Sequence, residues 1–469
     1  MRYVSTRGKA PVLEFDEVLL AGLARDGGLY LPERWPRFDA DALDRLRGLS
    51  YDRLATRVML PFLGGRISED DFGALAADAY AGFDHPAVAP LRQLAPGLWL
   101  MELFHGPTLA FKDFSLQLLG RLFDRVLARR GARVCIVGAT SGDTGSAAIE
   151  ACRDRERIDI FVLHPRGRIT EVQRRQMTTV DAANVHNVAI DGSFDDCQDL
   201  VKAMFNDQGF RDRMRLSAVN SINWVRVMAQ IAYFAHAAVA LGGPGRPVSF
   251  AVPTGNFGNV FAGYAARAMG FPVSRLVVGS NRNDILTRFF ETGELAMEAV
   301  APTLSPSMDI QVASNFERLM YDLYDRDGAA VAEAVGRFRD TGRLDLGDRR
   351  RRRAGDCFDG FRLDDAGTKA EIARLHAATG VLVDPHGAIG VAAAAAARRR
   401  DPTTPVVALA TAHPAKFPDA IMAATGIRPA LPPALADLFE RRERVTELAN
   451  ELAAVQAFVA AHVGLEGAA

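Results

Sequence analysis

Phe104-His105-Gly106-Pro107-Thr108-Leu109-Ala110-Phe111-Lys112-Asp113-Phe114 sets one lysine between two phenylalanines at the mouth of a helical pattern. A lysine ammonium is strongly hydrated and unreactive in water. Apolar surroundings disfavour its charged form, lower its pKa and expose an amine that can form an imine with an aldehyde. A lone Phe-Lys-Asp is more often a surface lysine whose stem lies on apolar neighbours. Two downstream turns weigh against that reading. Thr140-Ser141-Gly142-Asp143-Thr144-Gly145 and Pro253-Thr254-Gly255-Asn256-Phe257-Gly258-Asn259 each stand between a short apolar run and a helical pattern. A Schiff-base lysine with two anion-cradling turns points to a covalently held, phosphorylated cofactor.

Outward from the lysine, Phe114, Leu118, Leu122 and Val126, joined by Leu119, Phe123 and Leu127, form one apolar face at helical spacing. Residues 132–139 are apolar apart from Arg133, as in a strand covered on both faces. A helix over 146–154, a strand over 158–163, a helix over 170–179 and a strand over 185–190 follow, and this alternation predicts an α/β domain. A long helix over 222–241 ends at the loop Gly242-Gly243-Pro244-Gly245. A second α/β unit begins beyond it, with strands over 248–252 and 276–279 around a helix over 260–269. Helices dominate 315–379, a strand over 406–410 leads to Thr411-Ala412-His413-Pro414-Ala415-Lys416-Phe417, and two helices close the chain.

Ahead of the lysine, 26–32 read as a turn into an extended segment, and 39–49 and 68–80 as helices, with no βα unit. The expected organisation is an N-terminal domain over 1–95, a lysine-containing α/β region over 96–245, a phosphate-binding α/β region over 246–430 and C-terminal helices over 431–469. The five arginines Arg349 to Arg353, with no interleaved aromatics, read as a solvated loop.

The net charge of the 469 residues is -1, which gives no general attraction to nucleic acid or to anionic membranes and favours a small-molecule partner. No stretch reaches the ~18 apolar residues of a membrane span, and the N-terminus lacks an apolar signal core. Cys135, Cys152, Cys197 and Cys357 include no CxxC pair, so no metal site is expected and a reducing cytoplasm fits.

In 253–259 a strand ends, glycines let the backbone turn, and N–H groups converge at the positive end of a helix. Gly255, Asn256, Phe257, Gly258 and Asn259 are therefore candidates to cradle a phosphate, with a ligand-free turn equally open. Neither the Walker-A nor the GxGxxG pattern is present there, which disfavours nucleotide hydrolysis. Thr140, Ser141, Gly142, Asp143 and Thr144 repeat the setting with hydroxyls that suit a substrate carboxylate; capping the helix that starts near Gly145 is the simpler assignment for Asp143, and the two roles can coexist. Asn220, Ser221 and Arg226 cluster at a helix start, where a guanidinium could grip a phosphate bidentately or simply face solvent. Thr411 follows a buried strand at a sheet's carboxyl edge, where a hydroxyl can meet a ring nitrogen without protonating it. His105, His386, His413 and Lys416 stay open between ligand and structural roles.

Taken together, the lysine stretch, Gly138 to Ser146, Asn220-Ser221-Ile222-Asn223, Pro253 to Asn259 and Thr411 to Phe417 resemble threonine synthase, in the branch that includes the yeast and many bacterial enzymes. Ser5-Thr6-Arg7-Gly8, Asp26-Gly27-Gly28-Leu29-Tyr30 and Ser193-Phe194-Asp195-Asp196-Cys197-Gln198 add to the likeness, which runs in order from Ser5 to Phe417. The resemblance implies a pyridoxal 5'-phosphate enzyme of the tryptophan-synthase-β-like fold, with two open twisted sheets, flanking helices and an N-terminal domain. It implies conversion of O-phospho-L-homoserine and water to L-threonine and phosphate. Carried over by position, Lys112 would hold the cofactor and move protons, residues 255–259 would seat its phosphate, and Thr411 would meet its pyridine nitrogen. Residues 140–144 would take the substrate carboxylate, and Arg226 with Asn220 and Ser221 its phosphate. Asn259 and Gly387 depart from the Asp and Thr common in the family. Two alternatives are a phospholyase of the same fold that releases a keto acid and a catalytically silent binding relative.

Overall fold

Apolar runs without alternation form the inner strands of two open sheets, because such strands are covered on both faces. The computed structural model describes residues 1–140 and 142–464, so Ser141 lies outside the described residues. One sheet has five parallel strands in the order Thr446–Leu448, Val185–Ile190, Ile158–Pro165, Val134–Ala139 and Leu216–Ser217. The other has six, ordered Phe358–Arg362, Val273–Ser280, Val248–Pro253, Val406–Ala410, Leu98–Glu102 and Leu91–Ala95; the last pair is antiparallel and the rest parallel. The α/β class and the two open sheets expected from sequence are present.

Helices cover both faces of the six-stranded sheet. Pro385–Arg400 packs on Val406–Ala410 from one side, and Gly258–Ala268 packs on Val273–Ser280 from the other. The helix Trp224–Ala240 is apolar nearly all round and is accordingly buried along most of its length. It packs against Tyr51–Met59, Lys112–Arg130 and Gly258–Ala268, so it joins the N-terminal segment to both sheets. The rings of Tyr3, Trp35 and Phe62 lie 6.1, 6.0 and 5.6 Å from that of Trp224.

Chain order and sheet membership part company in two places. Leu98–Glu102, which precedes the lysine, belongs to the six-stranded sheet through Val406–Ala410. Thr446–Leu448, in the stretch read as C-terminal helices, adds an edge to the five-stranded sheet. The edge strand Phe358–Arg362 lies in a region read as helical. Edge strands are set by pairing and packing more than by their own pattern, which is why these escape a periodicity reading. The run Arg349 to Arg353, expected to be a loop, is in the helix Asp348–Gly355. Arginine is a good helix former, and the charges find partners: Arg349 and Arg353 each bond Asp325 at 2.6 Å, and Arg350 stacks 3.8 Å from the Tyr324 ring.

Candidate active site

The strand Val406–Ala410 places the lysine. Beyond its carboxyl end the chain runs against the lysine loop: Leu103 N–H donates to Ala410 O at 2.9 Å, Phe111 N–H to Thr411 O at 2.9 Å and His413 N–H to Leu109 O at 3.0 Å. Asp113 closes the loop on itself, its buried carboxylate accepting from Thr108 N–H at 2.9 Å and Thr108 Oγ1 at 2.7 Å. Burial pushes the Asp113 pKa up to about 7 against the pull of those bonds. A Cβ on Gly106 would stand 2.5 Å from Asp113 Cβ, so the loop closes only around a glycine.

Lys112 opens the helix Lys112–Arg130 with its side chain 12% exposed, which leaves the amine a mostly dry path to the cavity. The Phe111 ring centroid is 5.9 Å from Nζ. Phe114 instead turns into the core, 4.8 Å from Phe83 and 5.5 Å from Tyr233. Positions 112 and 114 project roughly 200° apart on a helix, so the two phenylalanines do not desolvate the amine as a pair. Burial is what lowers the Lys112 pKa first; Asp143 opposes it, and the positive charges of Lys416 and Arg226 add to it.

The turn between Val248–Pro253 and Gly258–Ala268 is built on two close fits. A Cβ on Gly255 would run into the carbonyl oxygen of Ser307, so no larger residue fits. Phe257 takes left-handed backbone, φ 63°, a conformation that costs an L-residue about 1–2 kcal/mol. Its buried ring, 5.3 Å from Phe316 and 6.0 Å from Phe358, holds it there, so Phe257 offers the site its backbone and not its side chain. Asn259 accepts from Tyr233 Oη at 2.7 Å, and its buried Nδ2 has no partner among the described residues. Gly255→Ala is expected to destabilise the fold by about 1–3 kcal/mol, measured as a lowered unfolding temperature, because either the turn or Ser307 must move.

At the other glycine turn, Thr140 Oγ1 accepts from Gly142 N–H at 3.0 Å and Gly145 N–H at 2.8 Å, pinning the loop. Asp143 is not the helix cap allowed for in the sequence. The helix Asp143–Cys152 starts at it, and Gly142 is the cap. Its carboxylate instead meets Lys416 Nζ at 2.9 Å, Gln173 Nε2 at 2.8 Å and Lys112 Nζ at 3.4 Å. Burial would raise the Asp143 pKa, but Lys416 and Lys112 hold it well below the usual carboxylate range. Lys416 is fully buried.

These elements meet around one cavity of about 1080 Å³. Lys112, Thr140, Asp143 and Thr144 line it, with Asn220, Ser221 and Arg226, and so do residues 255–259 and Thr411. Arg226 is buried at 3% exposure, where Nε donates to Ser115 Oγ at 3.3 Å and Nη1 to Val219 O at 3.1 Å. Burial pushes its pKa down to about 10, offset only in part by Tyr233 and by no carboxylate among the described residues, so the cavity carries a cation in want of an anion. Ser307 to Gln311 also line the cavity, in a stretch whose sequence has no helical or strand period to announce it.

Of the histidines left open, His386 lines the cavity and its Nδ1 bonds Asp384 at 2.5 Å. His413 Nδ1 accepts from Ala415 N–H at 3.1 Å, and burial pushes its pKa down to about 4. His105 is bracketed by Asp84 at 2.7 Å and Glu102 at 2.9 Å; burial disfavours its charge, but these carboxylates outweigh that and raise its pKa.

The donor set fits a phosphorylated aldehyde: an amine of lowered pKa, a glycine-tight turn at a helix start with a spare buried amide donor, and a threonine hydroxyl at the sheet edge. Residues 2–80 match the family model for the threonine synthase N terminus, 84–337 that for pyridoxal-phosphate dependent enzymes, and 387–459 that for the threonine synthase C-terminal region. A threonine synthase of Pseudomonas aeruginosa is 58% identical over 463 residues, 98% of either chain. The crystal structure of pyridoxal-phosphate-bound threonine synthase from Brucella melitensis matches with a TM-score of 0.96 at 52% identity, over 99% of this chain and 100% of that one. Yeast threonine synthase matches with a TM-score of 0.93 at 36% identity over 98% of each chain.

Proposed function

The chain belongs to the threonine synthase family, and from that premise we propose that its substrate is O-phospho-L-homoserine, converted with water to L-threonine and phosphate. It is a pyridoxal-phosphate-dependent lyase acting on a small molecule. The observation that carries the substrate reading is the buried, carboxylate-free Arg226 in the same cavity as Lys112.

When bound, the cofactor supplies the electron sink that lets C–H bonds near the amino carbon ionise. Everything else falls to side chains. Lys112 would hold the cofactor and then, as a free amine, take the proton from Cα, yield it, and take one from Cβ, so that phosphate leaves from Cγ; a proton would then go to Cγ, water would add its hydroxyl at Cβ, and Cα would regain its proton. An amine serves as a base near neutral pH only when its pKa is brought down, and burial with two neighbouring cations does that to Lys112. Residues 255–259 would seat the cofactor phosphate, where Asn259 Nδ2 has a donor to give. Thr411 would meet the pyridine nitrogen. The turn 140–144 would take the substrate carboxylate, Ser141 standing outside the described residues, and Arg226 with Asn220 and Ser221 would take the substrate phosphate.

Incubating the purified protein with O-phospho-L-homoserine is expected to release threonine and phosphate in equal amounts. Phosphate with 2-oxobutyrate in place of threonine would instead assign the phospholyase activity, and no phosphate at all would return the silent binding relative. A cytoplasmic location belongs to the same proposal; among the described residues no helix is long and apolar enough to cross a membrane.

A further inference from the structure

Lys416 follows the strand that carries Thr411, and it stands behind the cavity wall with no exposed surface. A buried ammonium needs a partner, and this one has two: Asp143 Oδ1 at 2.9 Å and the carbonyl oxygen of Thr108 at 2.7 Å. The same Asp143 carboxylate reaches Lys112 Nζ through Oδ2 at 3.4 Å. One carboxylate therefore lies between two amines, and its shorter contact goes to the amine that faces neither solvent nor cavity.

We propose that Lys416 is a positioning residue for Lys112: it keeps the Asp143 carboxylate as its own counter-ion, so that the reactive amine has an acceptor to orient it but no dedicated negative charge. The inference rests on Lys112 being the residue that holds the cofactor. Only a neutral amine bonds the cofactor's aldehyde carbon, the carbonyl oxygen leaving as water, so whichever neighbour sets the protonation of Lys112 sets the capture step.

The charged groups around the pair come from several elements. Lys112 feels Asp143 from the helix Asp143–Cys152, Arg226 from Trp224–Ala240 and Lys416 itself. Lys416 also acts on the buried Asp113, next to Lys112, and on His413, whose own pKa lies near 4. Of the two amines, Lys416 has the closer carboxylate oxygen, at 2.9 Å against 3.4 Å for Lys112, and burial lowers the Lys112 pKa, so Lys112 is the amine without a close counter-ion. Gln173 Nε2 donates at 2.8 Å to Oδ1, the same oxygen that Lys416 holds, so the carboxylate cannot swing wholly toward Lys112 while Lys416 is in place.

The test follows the pH transition of the visible absorbance of the holoenzyme, which reports protonation at the Lys112 nitrogen, in the wild type, Lys416→Met, Asp143→Asn and the double variant. Removing the Lys416 charge releases Asp143 to Lys112 and is expected to move the transition up by about one pH unit or more. Asp143→Asn is expected to move it down, and the double variant to return it to within about half a unit of wild type. A Lys416→Met protein that loses thermal stability but keeps the wild-type transition would make Lys416 a merely structural lysine and overturn the proposal. If Lys416→Met alone is recovered without cofactor, the double variant decides: cofactor binding with a near-wild-type transition supports the proposal, and failure to bind overturns it. A wild type with no lysine-bound absorbance would defeat the Lys112 assignment itself, whereas a wild-type band that no variant shifts defeats only the role of Lys416.

Discussion

Lys112→Ala is expected to yield a folded protein that carries no covalent cofactor and releases phosphate from O-phospho-L-homoserine at least about 10²–10⁴-fold more slowly, the range that a positioned acid–base group supplies. The fold should tolerate the change, because the side chain lines a cavity and its one ionic contact among the described residues, to Asp143, is long at 3.4 Å. Asp143 keeps Lys416 at 2.9 Å and Gln173 at 2.8 Å, so no buried charge is stranded by the substitution. The helix Lys112–Arg130 keeps its packing face, and alanine suits its first turn at least as well as lysine. Borohydride reduction followed by peptide mass analysis reads the covalent link directly, and circular dichroism reads the fold. Cofactor trapped at another residue in the variant would sink the assignment. Unchanged phosphate release without a covalent link would detach Lys112 from the proton steps.

Much of this site is legible in the chain, and the reasons are physical. A lysine at a helix mouth and glycines between an apolar run and a helical pattern carry their chemistry locally, so Lys112 and residues 255–259 are visible without the fold. The inner strands Val134–Ala139 and Val406–Ala410 are visible because burial on both faces leaves continuous apolar runs. What sequence does not disclose is partnership at long range. Lys416, in His413-Pro414-Ala415-Lys416, stays open in sequence between a ligand and a loop lysine, and Asp143 between a helix cap and a substrate contact; only the folded chain shows each to be the other's counter-ion. Phe114 stands two residues from Lys112, beside Phe111 at one, yet helix geometry sends it to the opposite side. Ser307 meets the Gly255 turn from an aperiodic stretch, and Phe358–Arg362 becomes a strand only by pairing.

Arg226→Met is expected to separate stability from function. In the folded chain the guanidinium is buried with no carboxylate partner among the described residues, and burial pushes its pKa down to about 10. A base whose pKa is lowered on folding binds its proton less tightly in the native state, so this cation opposes folding at every pH below about 10, by roughly 3 kcal/mol at 1.36 kcal/mol per unit. Methionine fills a similar volume, removes that penalty and gives up the bonds to Ser115 Oγ and Val219 O, worth about 1 kcal/mol each. The variant should therefore unfold no earlier than wild type in anion-free buffer. Its KM for O-phospho-L-homoserine should nonetheless rise by about 10²-fold or more, because charge-assisted bonds to a phosphate contribute about 1.5–3 kcal/mol each. Inorganic phosphate adds a control that needs no turnover. At ten times its dissociation constant it should stabilise the wild-type holoenzyme by about 1.4 kcal/mol and leave the variant's unfolding temperature where it was. Equal stabilisation of both proteins, with KM unmoved, would take the substrate phosphate away from Arg226. A variant that loses bound cofactor while keeping its response to phosphate would move the arginine to the cofactor's phosphate instead.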